Sequence, residues 1–148
     1  MKKKILIGII ACVGLTSAVV AQDLLQSDVP SVVVNNFQKA FPKVYDVEWE
    51  LKGELYEVDF ETGVSIDHEA WYDKTGKLVK HKQEIAKTDL PKAVLNTLNT
   101  DFKGYRVEDA KKITEGSKVT YKLDLESTSS EWKVLLSSEG KVLSKIAD

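Results

Sequence analysis

The stretch Tyr56-Glu-Val-Asp-Phe-Glu61 decides the fold, and it returns in edited form as Tyr121-Lys-Leu-Asp-Leu-Glu126. In both, apolar residues (Tyr56, Val58, Phe60; Tyr121, Leu123, Leu125) alternate with polar ones (Glu57, Asp59, Glu61; Lys122, Asp124, Glu126). A period of two marks a strand with one buried face and one wet face. The copies lie 121 − 56 = 65 residues apart. Upstream, Asp28-Val-Pro30 with Val33, Phe37 and Phe41 matches Asp89-Leu-Pro91 with Val94, Leu98 and Phe102, each pair offset by 61. The second copy therefore carries about four extra residues, which fall in the polar stretch 111–117. Downstream, Trp71 matches Trp132, and Asp73-Lys-Thr-Gly-Lys77 matches Ser137-Ser-Glu-Gly-Lys141. The pattern predicts a duplicated unit.

Around these strands the local signals are consistent. Asp28 is placed to cap a helix, with Pro30 in its first turn. Val33, Phe37, Ala40 and Phe41 fall on one helical face, and Pro42 ends the run. Each large side chain on that face contributes about 1.5–3 kcal/mol if buried. Strands are predicted at 44–51, 55–61, 68–72 and 77–84, joined by turns at Lys52-Gly-Glu54, 62–67 and Asp73-Lys-Thr-Gly76. The fourth strand is basic and mostly polar, which suggests a sheet edge. The unit then restarts with Leu90, Val94, Leu95, Leu98 and Phe102 lining a helix, Gly104 beyond its end, and strands at 105–113, 118–126, 131–136 and 141–146. The expected fold is α+β: a tandem duplication of one helix plus a four-stranded antiparallel sheet, in units 22–86 and 87–148.

Residues 1–21 read as a secretory signal peptide: Lys2, Lys3 and Lys4, a short apolar run over 5–15, and the small-residue exit Val19-Val-Ala21. The run is too short to span a membrane. Ile9-Ile-Ala-Cys12 loosely matches a lipoprotein acylation box, a lesser alternative because 13–20 stays apolar. Cleavage would leave 148 − 21 = 127 residues, without cysteine, and would move the net charge from −2 to −5. Such a chain, exported to the periplasm or beyond, relies on packing rather than disulfides. Its charges are interspersed and form no basic stripe, which argues against nucleic acid.

The motifs, taken from Asp28 to Ile146, are similar to those of the bacterial PepSY-like, β-lactamase-inhibitor-like family. Each half shows Pro-x-x-Val-x-x-x-(Phe/Leu)-x-x-x-Phe, an aromatic-bearing hairpin, Tyr-x-(Val/Leu)-Asp-(Phe/Leu)-Glu, and a Gly-Lys turn. The resemblance implies export, two tandem α+β modules, and a binding or inhibitory role in place of catalysis. It brings no contact residues with it.

The residues themselves offer no catalytic constellation. Serines cluster in turns, and no Gly-x-Ser-x-Gly elbow occurs. His68, between Asp67 and Glu69, and His81 read as surface histidines on a solvated edge rather than metal ligands. No cofactor or metal is expected. Glu57, Asp59, Glu61 and Asp124 read as the charged, solvated sheet face. In Ala70-Trp71-Tyr72 neighbours must point to opposite faces. Because Trp132 recurs at the Trp71 position, Trp71 is assigned to the core and Tyr72 to the outer face. A protein or peptide partner is expected on the open sheet face, at Tyr72, Glu57, Asp59, Glu61 and Asp124. The rival is a small-ligand or divalent-cation site in a cleft between the two units.

Overall fold

The computed structural model describes residues 21–148, so the leader, Cys12 and the residues preceding the expected cleavage site, except Ala21, lie outside the described residues. The elements run β1 Ala21–Leu24, α1 Ser31–Ala40, β2 Tyr45–Lys52, β3 Leu55–Thr62, β4 Ile66–Tyr72, β5 Leu78–Glu84, α2 Lys92–Asp101, β6 Arg106–Glu115, β7 Lys118–Glu126, β8 Glu131–Ser137 and β9 Val142–Ala147. All nine strands form one antiparallel sheet, and their order in the sheet is their order in the chain.

This corrects the expected tandem of helix-plus-four-strand units. The described residues form a nine-stranded sheet carrying two short helices. Two predictions fail together. Ala21–Leu24, where no strand was predicted, form β1, which pairs with β2 from Ala21 opposite Lys52 to Leu24 opposite Trp49. β5, read as an edge, is an interior strand: His81 lies opposite Thr114 and Glu84 opposite Lys111. Its lysines do not forbid this, because they stand on a wet face and their ammonium groups reach Glu69 and Glu115.

Both helices lie on one face of the sheet. The register settles this: buried Ala70 is opposite His81, His81 opposite Thr114, and Thr114 opposite Val119, which packs with the core under α2. α1 buries Val33 and Phe37 against Trp49, Val58, Phe60, Ala70 and Tyr72. α2 buries Val94 and Leu98 against Ala110, Leu123, Leu125, Val134 and Leu136. The core is thus two clusters side by side under one sheet. The Asp28 cap is not made; Pro30 occupies the N-cap position of α1, with no side-chain hydrogen bond there.

Two turns fasten the helices to the sheet. The Asn36 amide donates to the Gly76 carbonyl at 2.8 Å, and the Thr97 hydroxyl donates to the Gly140 carbonyl at 2.6 Å. Gly140 has φ +83°, and a Cβ there would collide with the Ala93 carbonyl oxygen. Gly116, at φ +60°, faces open space. Gly116→Ala should therefore cost only the left-handed conformation, about 1–2 kcal/mol. Gly140→Ala should cost clearly more, because a backbone contact must also give way. Thermal unfolding of the two variants checks the order.

Candidate functional site

The open face, opposite the helices, presents every second residue of each strand. On β3 these are Glu57, Asp59 and Glu61; their partners on β4 are Trp71, Glu69 and Asp67. Across β2 lie Glu50 opposite Glu57 and Glu48 opposite Asp59. β5 then supplies Lys80 opposite Trp71 and Lys82 opposite Glu69. Like charges directly opposite one another weaken a sheet, and this face places them in rows over β2, β3 and β4.

Trp71 is the centre of the arrangement. Its indole N–H donates to Glu57 Oε2 at 2.6 Å, and Lys52 donates to Glu57 Oε1 at 2.7 Å. Lys80 stands 4.7 Å and Lys82 5.8 Å from the indole ring centre, within cation–π range. Lys82 also pairs with Glu69, and Lys52 with Glu50 at 3.2 Å. Glu57 is consequently only 2% exposed, although it belongs to the open face. A buried carboxylate needs such partners, since leaving it unpaired costs several kcal/mol.

Next to it, Glu57, Asp59 and Glu69 bring carboxylate oxygens within 4.8 Å of one another. Burial, and then the charges of Glu57 and Glu69, push the Asp59 carboxyl up to about 6. One Asp59 oxygen has no hydrogen-bond partner among the described residues. The group also borders a shallow depression of about 310 Å³ lined by Glu48, Asp59, Glu61, Asp67 and Glu69. The crowding can be relieved by a proton, by a cation, or by a cationic side chain of a partner.

The sequence-predicted residues are only partly brought together. Glu57, Asp59 and Glu61 share the face as expected. Asp124 lies on the same face but on β7, opposite Asp109 and Lys133, four strands from β3 and so roughly 19 Å away. Tyr72 is a correction. It is 1% exposed, packs edge-on to Phe37 at 6.5 Å, and its hydroxyl, pushed up to about 12 by burial, has no hydrogen-bond partner among the described residues. Trp71, assigned to the core, holds the outer place.

The reason for the exchange is the register. Trp132 lies opposite Leu125, and His68 lies opposite Phe60. Trp132 therefore occupies the place of His68, on the helix face, where its indole N–H donates to the Tyr105 hydroxyl at 3.0 Å. The matching tryptophans were not equivalent. His68 is a further correction: it is 7% exposed rather than solvated, with its ring beside Phe60 and hydrogen-bonded to His81. The alternation itself carried the missing signal, since His68 shares a face with Ala70 and Tyr72 while Trp71 goes with Asp67 and Glu69.

The family model described as "Putative beta-lactamase-inhibitor-like, PepSY-like" matches residues 18–80 and 54–144. Among solved structures, a DUF2874 family protein from Bacteroides uniformis has a TM-score of 0.69 at 17% identity, over 80% of this chain and 88% of that one. A structure described as "putative periplasmic proteins" from Bacteroides eggerthii gives the same TM-score, 0.69, also at 17% identity, over 80% of this chain and 88% of that one. A BLIP-like protein from Bacteroides fragilis gives 0.64 at 19% identity, over 78% and 84% of the two chains. No curated protein matches the chain. Among the described residues no helix is long and apolar enough to cross a membrane.

Two outcomes test the geometry. Asp59 holds its proton more tightly folded than unfolded, so its ionisation costs stability: fully above about pH 6 and not at all below its ordinary 3.8. Asp59→Asn should raise the melting temperature at pH 8 and leave it unchanged below pH 3.8, read from melting curves across that range. Tyr72→Phe should be neutral or slightly stabilising, while Tyr72→Ala should cost about 3–5 kcal/mol in denaturant unfolding.

Proposed function

The chain belongs to the PepSY-like, β-lactamase-inhibitor-like family, and on that premise we propose that it is an exported, non-enzymatic module that binds a protein partner through its open sheet face and inhibits or regulates it. The observation that carries this reading is Trp71. An aromatic side chain lies on the face opposite α1 and α2, fixed by Glu57 and flanked by Lys80 and Lys82. Tryptophan at the centre of a polar, charged surface is the residue type on which binding energy concentrates. The surrounding carboxylates and lysines would orient a partner and speed its arrival more than they would add affinity.

A divalent-cation carrier is the rival, supported by the convergence of Glu57, Asp59 and Glu69. Both Glu57 oxygens are already engaged, and Glu69 is paired with Lys82. The expected cleft between units fares worse, because β5 and β6 pair directly at that point in the sheet.

The test compares capture from envelope extract of the producing organism by the immobilised protein, by Trp71→Ala and by Lys80→Glu. A partner held by the natural sequence should lose at least tenfold in affinity with Trp71→Ala and less with Lys80→Glu, because the Lys80 side chain is 36% exposed. Its activity, where it is an enzyme, should fall on addition of the natural protein only. Equal capture by all three proteins would displace the site from Trp71. Calorimetric binding of calcium or zinc that Asp59→Asn abolishes would favour the rival.

A further inference from the structure

On the helix face, directly behind the Trp71 site, lie the chain's only two histidines. His68 Nδ1 and His81 Nε2 are 3.0 Å apart. The ring planes differ by 6° and the ring centres are 5.2 Å apart. That centre separation exceeds the N···N distance by about two ring radii. The imidazoles therefore lie side by side in nearly one plane, with a nitrogen of each aimed at the other, and are not face-stacked. The other nitrogen of His68 is 2.8 Å from the Thr62 hydroxyl. Phe41, just beyond α1, closes over the pair at 6.2 Å from His68 and 5.1 Å from His81.

The proton inventory of this chain is restrictive. An N–H···N bond needs one donor and one acceptor. If His68 donates from Nδ1, its Nε2 accepts from Thr62 and His81 carries its proton on Nδ1. If His81 donates from Nε2, His68 carries its proton on Nε2 and donates to Thr62. Either way the two rings share one tautomer. One added proton is accommodated, because an imidazolium at His68 donates both to Thr62 and to His81. A second cannot be: both facing nitrogens then carry hydrogen, and two cations abut under an aromatic lid.

We propose that the His68–His81 pair is a proton-operated latch that regulates the Trp71 site, holding β4 and β5 together while at least one facing nitrogen is free of hydrogen and releasing them when both are protonated. The regulatory half of this rests on the reading that the Trp71 face binds a partner. The coupling is short. His68 and Glu69 are adjacent on β4, as are His81, Lys80 and Lys82 on β5, and Ala70 opposite His81 precedes Trp71. Strand separation at the histidines takes Lys80 and Lys82 away from the indole.

The charged groups acting on the pair are few. Asp67, on the same strand, favours the charged form of His68, and Lys112 of β6 disfavours that of His81. β3 meets the pair through Phe60 and Thr62, and the end of α1 through the uncharged Phe41. Burial is the larger effect on both: it lowers His68, and with His68 and Lys112 it lowers His81 to about 4. The folded state therefore binds protons less readily than the unfolded chain. The contribution of the pair to stability is full above the ordinary value of 6.5 and is lost as the pH falls toward about 4.

The experiment is nitrogen NMR of the labelled protein, which needs no partner. At pH 7 both imidazoles should show the same neutral tautomer, with scalar coupling between His68 Nδ1 and His81 Nε2 through the hydrogen bond. On acidification the first proton should leave that coupling in place. The second should abolish it, and the Trp71 indole N–H resonance should shift in the same step. His81→Gln, which cannot take the proton but can still hydrogen-bond, should fold and lose that step. Any remaining indole shift would belong to Glu57, Asp59 and Glu69. Unlike tautomers, no coupling, or two independent titrations near 6.5 would overturn the latch. An indole shift unchanged in His81→Gln would overturn its link to the site. A latch that behaves as expected beside a Trp71→Ala variant of unaltered partner affinity would remove the partner reading alone.

Discussion

The rest of the molecule depends on the short ladder between β5 and β6, where His81, Lys82, Gln83 and Glu84 meet Thr114, Ile113, Lys112 and Lys111. Without it there would be two small sheets, each with its own helix and its own exposed edge, and unpaired edges are a liability in water. With it, the described strands form one sheet whose edges are β1 and β9. The ladder also fixes the register across the middle, and so forces α1 and α2 onto the same face. A wide surface on the other side is left uncovered as a consequence.

That uncovered surface accommodates opposed demands. Packing under α1 requires Val58, Phe60, Ala70 and Tyr72 to point inward, which turns Glu57, Asp59, Glu69 and Trp71 outward. Several carboxylates are thereby crowded on neighbouring strands. Lys52 and Trp71 neutralise or bond Glu57, Lys82 neutralises Glu69, and the Asp59 carboxyl is pushed up to about 6. Desolvation makes each of these contacts stronger than an exposed ion pair, which contributes about 0–1 kcal/mol. The second half meets the same geometry with different residues: Lys122 lies opposite Leu135, and Asp124 opposite Lys133. The two ends of the face are therefore chemically distinct.

Much of this was legible in the chain. The alternation in 56–61 and 121–126 placed Val58, Phe60, Leu123 and Leu125 inward correctly, and Val33, Phe37, Val94 and Leu98 did line the buried helix faces. The site was less legible. Pairing Trp71 with Trp132 by type misdirected the whole of β4, although strict alternation from His68 would have placed Tyr72 inside. Trp71 could be found from period two alone, but its attachment to Glu57, and the two lysines over its ring, could not.

The sequence by itself determined β2 to β9, the helix faces and the alternation within each strand, because these follow from side-chain chemistry at a fixed local period. Only the tertiary structure decided that β5 lies inside the sheet, that β1 extends it, and that His68 and His81 meet. Those facts depend on which strands pair and in what register. A lysine-rich strand is a poor edge predictor when its ammonium groups can reach carboxylates on the next strand, and two histidines separated by 81 − 68 = 13 residues meet only because β4 and β5 turn back on one another.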